Sequence, residues 1–201
     1  MNKHQVAYSL GVVLLIFIFS IAIFSTAHAG QHIIEPKLGV VDWTDNNNQR
    51  IRNDTFNIDD NPTGSLGFMY LYRLDNGFSF GGEVFGYNRD YTRSDGRTGE
   101  VDTSHIYANA EYYFNNDKSV KPFVGFGLGS VGMEFTGVLK QETRGPSLQL
   151  KGGVEFDLSE KLAIAAEAKY FTVDIDEDVG GIAGKIESKG YALFVGLAIK
   201  L

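Results

Sequence analysis

The chain has 201 residues, enough for one domain, with 18 basic against 25 acidic side chains and no cysteine. A formal charge of −7 argues against nucleic acid, whose binding needs cationic patches that release counterions. The absence of cysteine excludes a thiolate metal site, a cysteine nucleophile and a disulfide framework.

From the N-terminus, the first element is a dense apolar run from Val6 to Ala29. Lys3 precedes it, its most apolar part covers about 10–24, and Ala27-His28-Ala29 offers a small-x-small cleavage site. Residues 1–29 therefore read as a signal peptide and 30–201 as the mature domain. An uncleaved membrane anchor is the alternative, but Ser25-Thr26-Ala27-His28-Ala29 interrupts the apolar run and suits a peptidase. After Ala29 no apolar stretch approaches the roughly 18 residues of a spanning helix.

Beyond residue 30 the apolar side chains recur at every second position, the period of a strand with two unlike faces. Eight stretches follow this pattern: about 32–43, 64–74, 77–89, 101–115, 121–135, 146–157, 161–174 and 188–201. Most are about as long as a tilted strand needs to cross a bilayer, roughly 9–11 residues. Three links are short: Asp75-Asn76-Gly77, which reads as a primed turn, then 115–119 and 157–160. The other four, 44–63, 90–100, 136–145 and 175–187, are longer and polar. Short turns at one end and long loops at the other is the pattern of outer-membrane barrels. An even strand number returns both termini to one side, read as the periplasmic side.

The two faces of each strand decide which side meets lipid. Leu66, Phe68, Tyr70 and Tyr72 oppose Gly67, Met69, Leu71 and Arg73; Leu148, Leu150, Val154 and Phe156 oppose Gln149, Lys151, Gly153 and Glu155. The last strand sets Tyr191, Leu193, Val195, Leu197, Ile199 and Leu201 against Ala192, Phe194, Gly196, Ala198 and Lys200. Lys or Arg on a lipid face near the midplane costs about 2–4 kcal/mol, so the mixed, charged sets are assigned to the lumen. The lumen candidates are Glu35, Lys37, Arg73, Glu83, Glu111, Lys151, Glu155, Glu167, Lys169 and Lys200. Aromatic girdles are expected at both strand ends: Tyr72, Phe78, Tyr112, Phe114 and Phe156 near the short turns, and Trp43, Tyr87, Tyr91, Phe135, Tyr170 and Tyr191 near the long links.

The stretch beginning Lys121-Pro122-Phe123-Val124-Gly125-Phe126-Gly127-Leu128-Gly129 resembles the fifth strand of the OmpA-like and opacity-type eight-stranded outer-membrane barrels. The resemblance covers the mature chain in strand number, loop asymmetry and an alternating last strand. It implies an all-β, antiparallel up-and-down transmembrane barrel and is silent on activity. One departure is the last residue, where the family usually has an aromatic and this chain has Leu201. The alternate glycines are expected to make room in the lumen for Phe85, Phe194 or Arg73, or to let the strand bend.

Eight strands enclose an interior that side chains can fill. The favoured reading is a salt-bridged plug in a monomeric barrel of structural or surface-interaction type; the alternative is a narrow, porin-like passive channel. A lipid-modifying enzyme is a third class, since some small barrels use Ser and His. Ser104 and His105 are adjacent on a strand, however, and point to opposite faces. No catalytic residue, cofactor or metal is therefore assigned. Asp174, Asp176, Glu177 and Asp178 lack the ligand-and-Gly spacing of a calcium loop. In the first long link, Arg50, Arg52 and Phe56 are the candidates for contact with an extracellular protein or phage, because exposed loops on rigid scaffolds carry binding. The other expected partners are outer-membrane lipid, lipopolysaccharide and the barrel-insertion machinery.

Overall fold

The computed structural model describes residues 30–44, 49–51, 54–58, 61–137, 141–179 and 182–201. The expected signal peptide and Arg52 lie outside the described residues.

The elements in chain order are strands β1 (Gly30–Trp43), β2 (Gln49–Ile51), β3 (Asp54–Ile58), β4 (Thr63–Leu74), β5 (Phe78–Arg93), β6 (Thr98–Tyr113), β7 (Val120–Thr136), β8 (Gln141–Asp157), β9 (Leu162–Val179) and β10 (Ile182–Lys200). Eight of them, β1 and β4 to β10, form a ring in which each pairs with its chain neighbours and β10 returns to β1. The closing register runs from Ile33↔Lys200 to Trp43↔Gly190, and the Leu201 amide donates to the His32 carbonyl at 2.9 Å. Closure pairs the backbone without leaving a free edge, which is what a strand wall in hydrocarbon requires.

Period-2 patterning orients the wall. Leu66 is 67% exposed, Leu38 65% and Leu150 62%, whereas Glu83 is 2% exposed on the opposite face. A barrel that turns leucine outward and glutamate inward is built for an apolar surrounding.

The strands run on beyond that apolar belt. β5 and β6 stay paired as far as Thr92↔Thr98, and β9 and β10 as far as Val179↔Ile182. The polar links expected over 90–100, 136–145 and 175–187 are thus largely strand. Their polarity reflects a wall that has left the belt: outward positions become Asp42, Asn88, Asp102, Glu134, Asp174 and Lys189 while the ladder continues. The link 44–63 carries β2 and β3, which pair with each other. β2 joins β10 at Arg50↔Lys185, and β3 joins β5 from Phe56↔Arg93 to Ile58↔Tyr91.

The β4–β5 turn differs from the primed turn expected at Asp75-Asn76-Gly77. Of these three only Gly77 has a positive φ, +87°, and its amide donates to the Leu74 carbonyl at 3.0 Å. That is a type I turn followed by a left-handed glycine, the three-residue hairpin solution. In the exposed β5–β6 turn, the hydrogen bond from Arg97 holds the Asp95 carboxyl below the usual carboxylate range.

The expected girdles also need correction. Phe78, Phe114, Phe156 and Tyr191 point outward, but Trp43, Tyr87, Tyr91 and Phe135 are buried inside the barrel. They were assigned by nearness to strand ends, whereas their odd-numbered positions share the inward face with Glu35, Glu83 and Val131. Trp43, the single tryptophan, packs edge-on against Phe171 at 5.6 Å between centroids. Its emission is therefore expected to respond weakly to bilayers with brominated acyl chains. Strong quenching would return Trp43 to the lipid face.

Candidate functional site

The lumen is filled by layers, and all ten charged candidates lie in it, buried. In the middle layer Glu83 of β5 is the hub. Its Oε1 lies 3.0 Å from Lys37 Nζ and also pairs with Lys169; its Oε2 lies 3.6 Å from Lys151. Asn109 and Gln149 donate to Oε2 at 3.1 and 3.0 Å. Lys37 further contacts Glu167 at 2.7 Å and Glu35 at 3.3 Å. Lys151 pairs with Glu111, and Lys169 with Glu167 at 3.1 Å. Buried charges survive only when compensated and hydrogen-bonded, and here each lysine has at least two carboxylates.

A second layer lies toward the short turns. Arg73 makes a two-pronged contact with Glu155 at 3.0 and 2.6 Å, the geometry that suits a guanidinium to a carboxylate. The same guanidinium stacks 3.6 Å over the Tyr113 ring. Lys200 reaches Glu155 at 2.9 Å, and both Lys121 and Lys200 pair with Asp157. Three lysines face four glutamates in the middle layer; an arginine and two lysines face a glutamate and an aspartate here. The single excess charges are opposite, so the two layers together are neutral.

Lys121 and Asp157 escaped the sequence reading because they sit where strands meet short turns. Their parity was the available sign: Lys121 is in phase with Phe123 and Gly125, and Asp157 with Glu155.

The third layer, toward the long links, is mainly aromatic and aliphatic, with Val41, Trp43, Phe85, Tyr87, Met133, Phe135, Phe171 and Phe194. His105 lies within it, its ring stacked on Phe85 at 4.4 Å and 11°. Ser147 Oγ donates to the Thr172 carbonyl at 2.7 Å, so the Tyr107 hydroxyl, 2.5 Å away, donates to Ser147. Tyr107 oxygen then accepts from His105 Nδ1 at 3.1 Å, and Nε2 accepts from the Tyr87 hydroxyl at 3.1 Å. The chain fixes a neutral imidazole with its proton on Nδ1. Ser104 faces outward, away from this ring. The printed contacts of His105 bring it to two tyrosines and no carboxylate, which is not the nucleophile–base–acid arrangement of a triad.

The glycines of β7 clear space for neighbours other than Phe85, Phe194 and Arg73. A Cβ on Gly125 would lie 2.8 Å from Glu111 Cγ, and one on Gly127 would lie 2.8 Å from Gln149 Cγ and collide with Asn109. At Gly129 it would strike the Ile106 carbonyl and lie 2.6 Å from Tyr107. Direct cross-strand neighbours on β6 and β8 claim the space first. Phe194 instead lies over Gly39.

Among the described residues no group of three His, Asp or Glu side chains could hold a metal ion. Asp174 is exposed on β9, and the backbone of Asp176, Glu177 and Asp178 pairs with β10. Arg50 lies on β2 and Phe56 on β3.

No curated protein matches the chain in sequence. Among solved structures it is similar to Neisserial surface protein A, with a TM-score of 0.65 and 14% identity over 86% of this chain and 99% of that one. Outer membrane protein OprG from Pseudomonas aeruginosa gives 0.59 and 15%, covering 87% and 97%. Ail, the attachment invasion locus protein of Yersinia pestis, in complex with the heparin analogue sucrose octasulfate, gives 0.56 and 14%, covering 86% and 99%. These likenesses establish the shared barrel fold. The family described as the outer membrane protein beta-barrel domain matches residues 12–197, and the chain belongs to that family.

Proposed function

We propose that the protein is a monomeric outer-membrane barrel of structural and surface-interaction type whose lumen is plugged. The observation carrying this reading is the neutral pair of charge layers beneath an aromatic layer, all buried. Moving an ion through would require breaking contacts of about 2.6–3.1 Å among Arg73, Glu155, Lys37 and Glu167. In this reading residues 1–29 are the cleaved signal, both mature termini face the periplasm, and the projecting strand ends face outward. The barrel-insertion machinery delivers the chain, lipid and lipopolysaccharide surround it, and no enzymatic role is assigned.

The surface contact is placed on the link 44–63, with Arg50, Arg52 and Phe56, and its partner is an extracellular protein or phage component. Ail was crystallised with a polysulfated heparin analogue. The described rim of the present chain exposes Asp42, Asp90, Glu100, Asp102, Glu134 and Asp174, so no polysulfate site is carried over from it. A proteoliposome swelling assay tests the plug. Swelling in small sugars is expected to match protein-free vesicles, and swelling that scales with protein content would replace the plug by the channel reading.

A further inference from the structure

Just above the apolar belt, the outer surface of β5 to β8 holds an open groove of about 490 Å³. Its floor is one row of paired outward positions: Gly86↔Ser104, Ser104↔Gly132 and Gly132↔Arg144. Two glycines and a serine leave that row nearly bare. The Arg144 side chain leans over it: a Cβ on Gly132 would lie 3.6 Å from Arg144 Cγ and 3.7 Å from its Nε. One pleat farther from the belt comes the row Asp102↔Glu134 and Glu134↔Glu142. One pleat nearer come Val84 and Ile106, both lipid-facing.

The charges are therefore ordered by depth. Arg144 stands at the level next to the belt, and the carboxylates stand about 7 Å beyond it, two residues at roughly 3.4 Å each. Arg144 uses Nε and Nη2 on Glu142, at 3.0 and 2.6 Å, and Nη1 has no protein acceptor among the described residues. Asp102 already accepts from Asn88 at 2.8 Å, while Glu134 is exposed and makes no ion pair among the described residues. The groove continues directly into the lipid-facing surface, so its occupant approaches from the bilayer.

We propose that this groove binds the headgroup of a phospholipid that carries a phosphate next to its acyl chains and a primary ammonium beyond it. The chains lie along Val84 and Ile106, the phosphate meets Arg144, and the ammonium donates to Glu134 and Asp102. A quaternary ammonium has no N–H to donate, and a headgroup that is only anionic places no cation against the carboxylates. The site uses the outer wall alone, so it stands or falls independently of whether the lumen conducts.

The test is native mass spectrometry of the full chain, extracted from its membrane and exposed to equal amounts of phosphatidylethanolamine, phosphatidylcholine and phosphatidylglycerol. One phosphatidylethanolamine per barrel is expected to be retained at least tenfold over the other two. Arg144→Gln and Glu134→Gln, both at exposed positions, are each expected to abolish that preference while the far-ultraviolet spectrum stays that of a folded barrel. Equal retention of the three lipids, a preference for phosphatidylglycerol, or an unchanged preference in both variants would overturn the site. Should one variant fail to fold, the other and the wild-type lipid ranking still decide.

Discussion

Replacing Glu83 with alanine is expected to cost about 3–5 kcal/mol of stability, the range for removing one partner from a buried ionic cluster. Layer charge alone argues the other way, because the loss would leave three lysines facing three glutamates. Connectivity decides. Lys169 contacts Glu83 and Glu167, and Glu167 already receives Lys37 at 2.7 Å and lies 3.8 Å from Lys151. Without Glu83, one carboxylate must serve both Lys37 and Lys169, and Asn109 and Gln149 lose an acceptor. Glu35→Ala is the contrast. It removes the same charge from the layer, but Glu35 contacts only Lys37 among the cations, at 3.3 Å, and Lys37 keeps two partners. That substitution is expected to cost about 1 kcal/mol, the ordinary loss for a single change. Urea titration of bilayer-embedded protein, followed through Trp43, measures both. Equal losses would show that net charge, not the hub, governs the layer.

Gly129→Val on β7 is expected to destabilise the barrel by about 3 kcal/mol, the upper end for overpacking. The added Cβ meets the Ile106 carbonyl, and β6 cannot yield because β5 and β7 hold it in register on both sides. The Tyr107 ring, the other neighbour, must swing away and would take its hydroxyl from Ser147 and His105. Gly152→Ala on β8 is the control, since its Cβ would lie 3.5 Å from the nearest atom, in ordinary contact. Its stability is expected to stay within about 0.5 kcal/mol of the parent. Comparable losses at both positions would mean that the glycines serve backbone bending instead of close approach.

Parity explains how much of this was legible in the sequence. Strand period alone sends Glu83, Glu111, Lys151, Glu155 and Lys169 to one face, and lipid forbids that face to be outward, so the lumen side followed without coordinates. The same parity applied strictly would have moved Trp43, Tyr87, Tyr91 and Phe135 inward; the girdle expectation, based on height, overrode it. Polarity misled at the strand ends, where Asp90, Glu100 and Asp102 look like loop residues yet stand on a paired wall outside the apolar belt. What the sequence did not contain was stagger. Lys37 and Glu167 lie 130 positions apart, and which charges meet across the lumen depends on strand tilt and shear, not on any local pattern. For the same reason Asn109 and Gln149 appeared only as polar members of the inward set, with nothing to mark them as donors to the hub.

The plug is tested most directly by single-channel recording of the purified protein in a planar bilayer, with folding confirmed on the same sample. A closed set of paired charges under an aromatic layer gives no discrete openings at moderate voltage. Reproducible unitary steps from the folded protein would contradict it, and would mean that the lumen pairs exchange partners to pass ions.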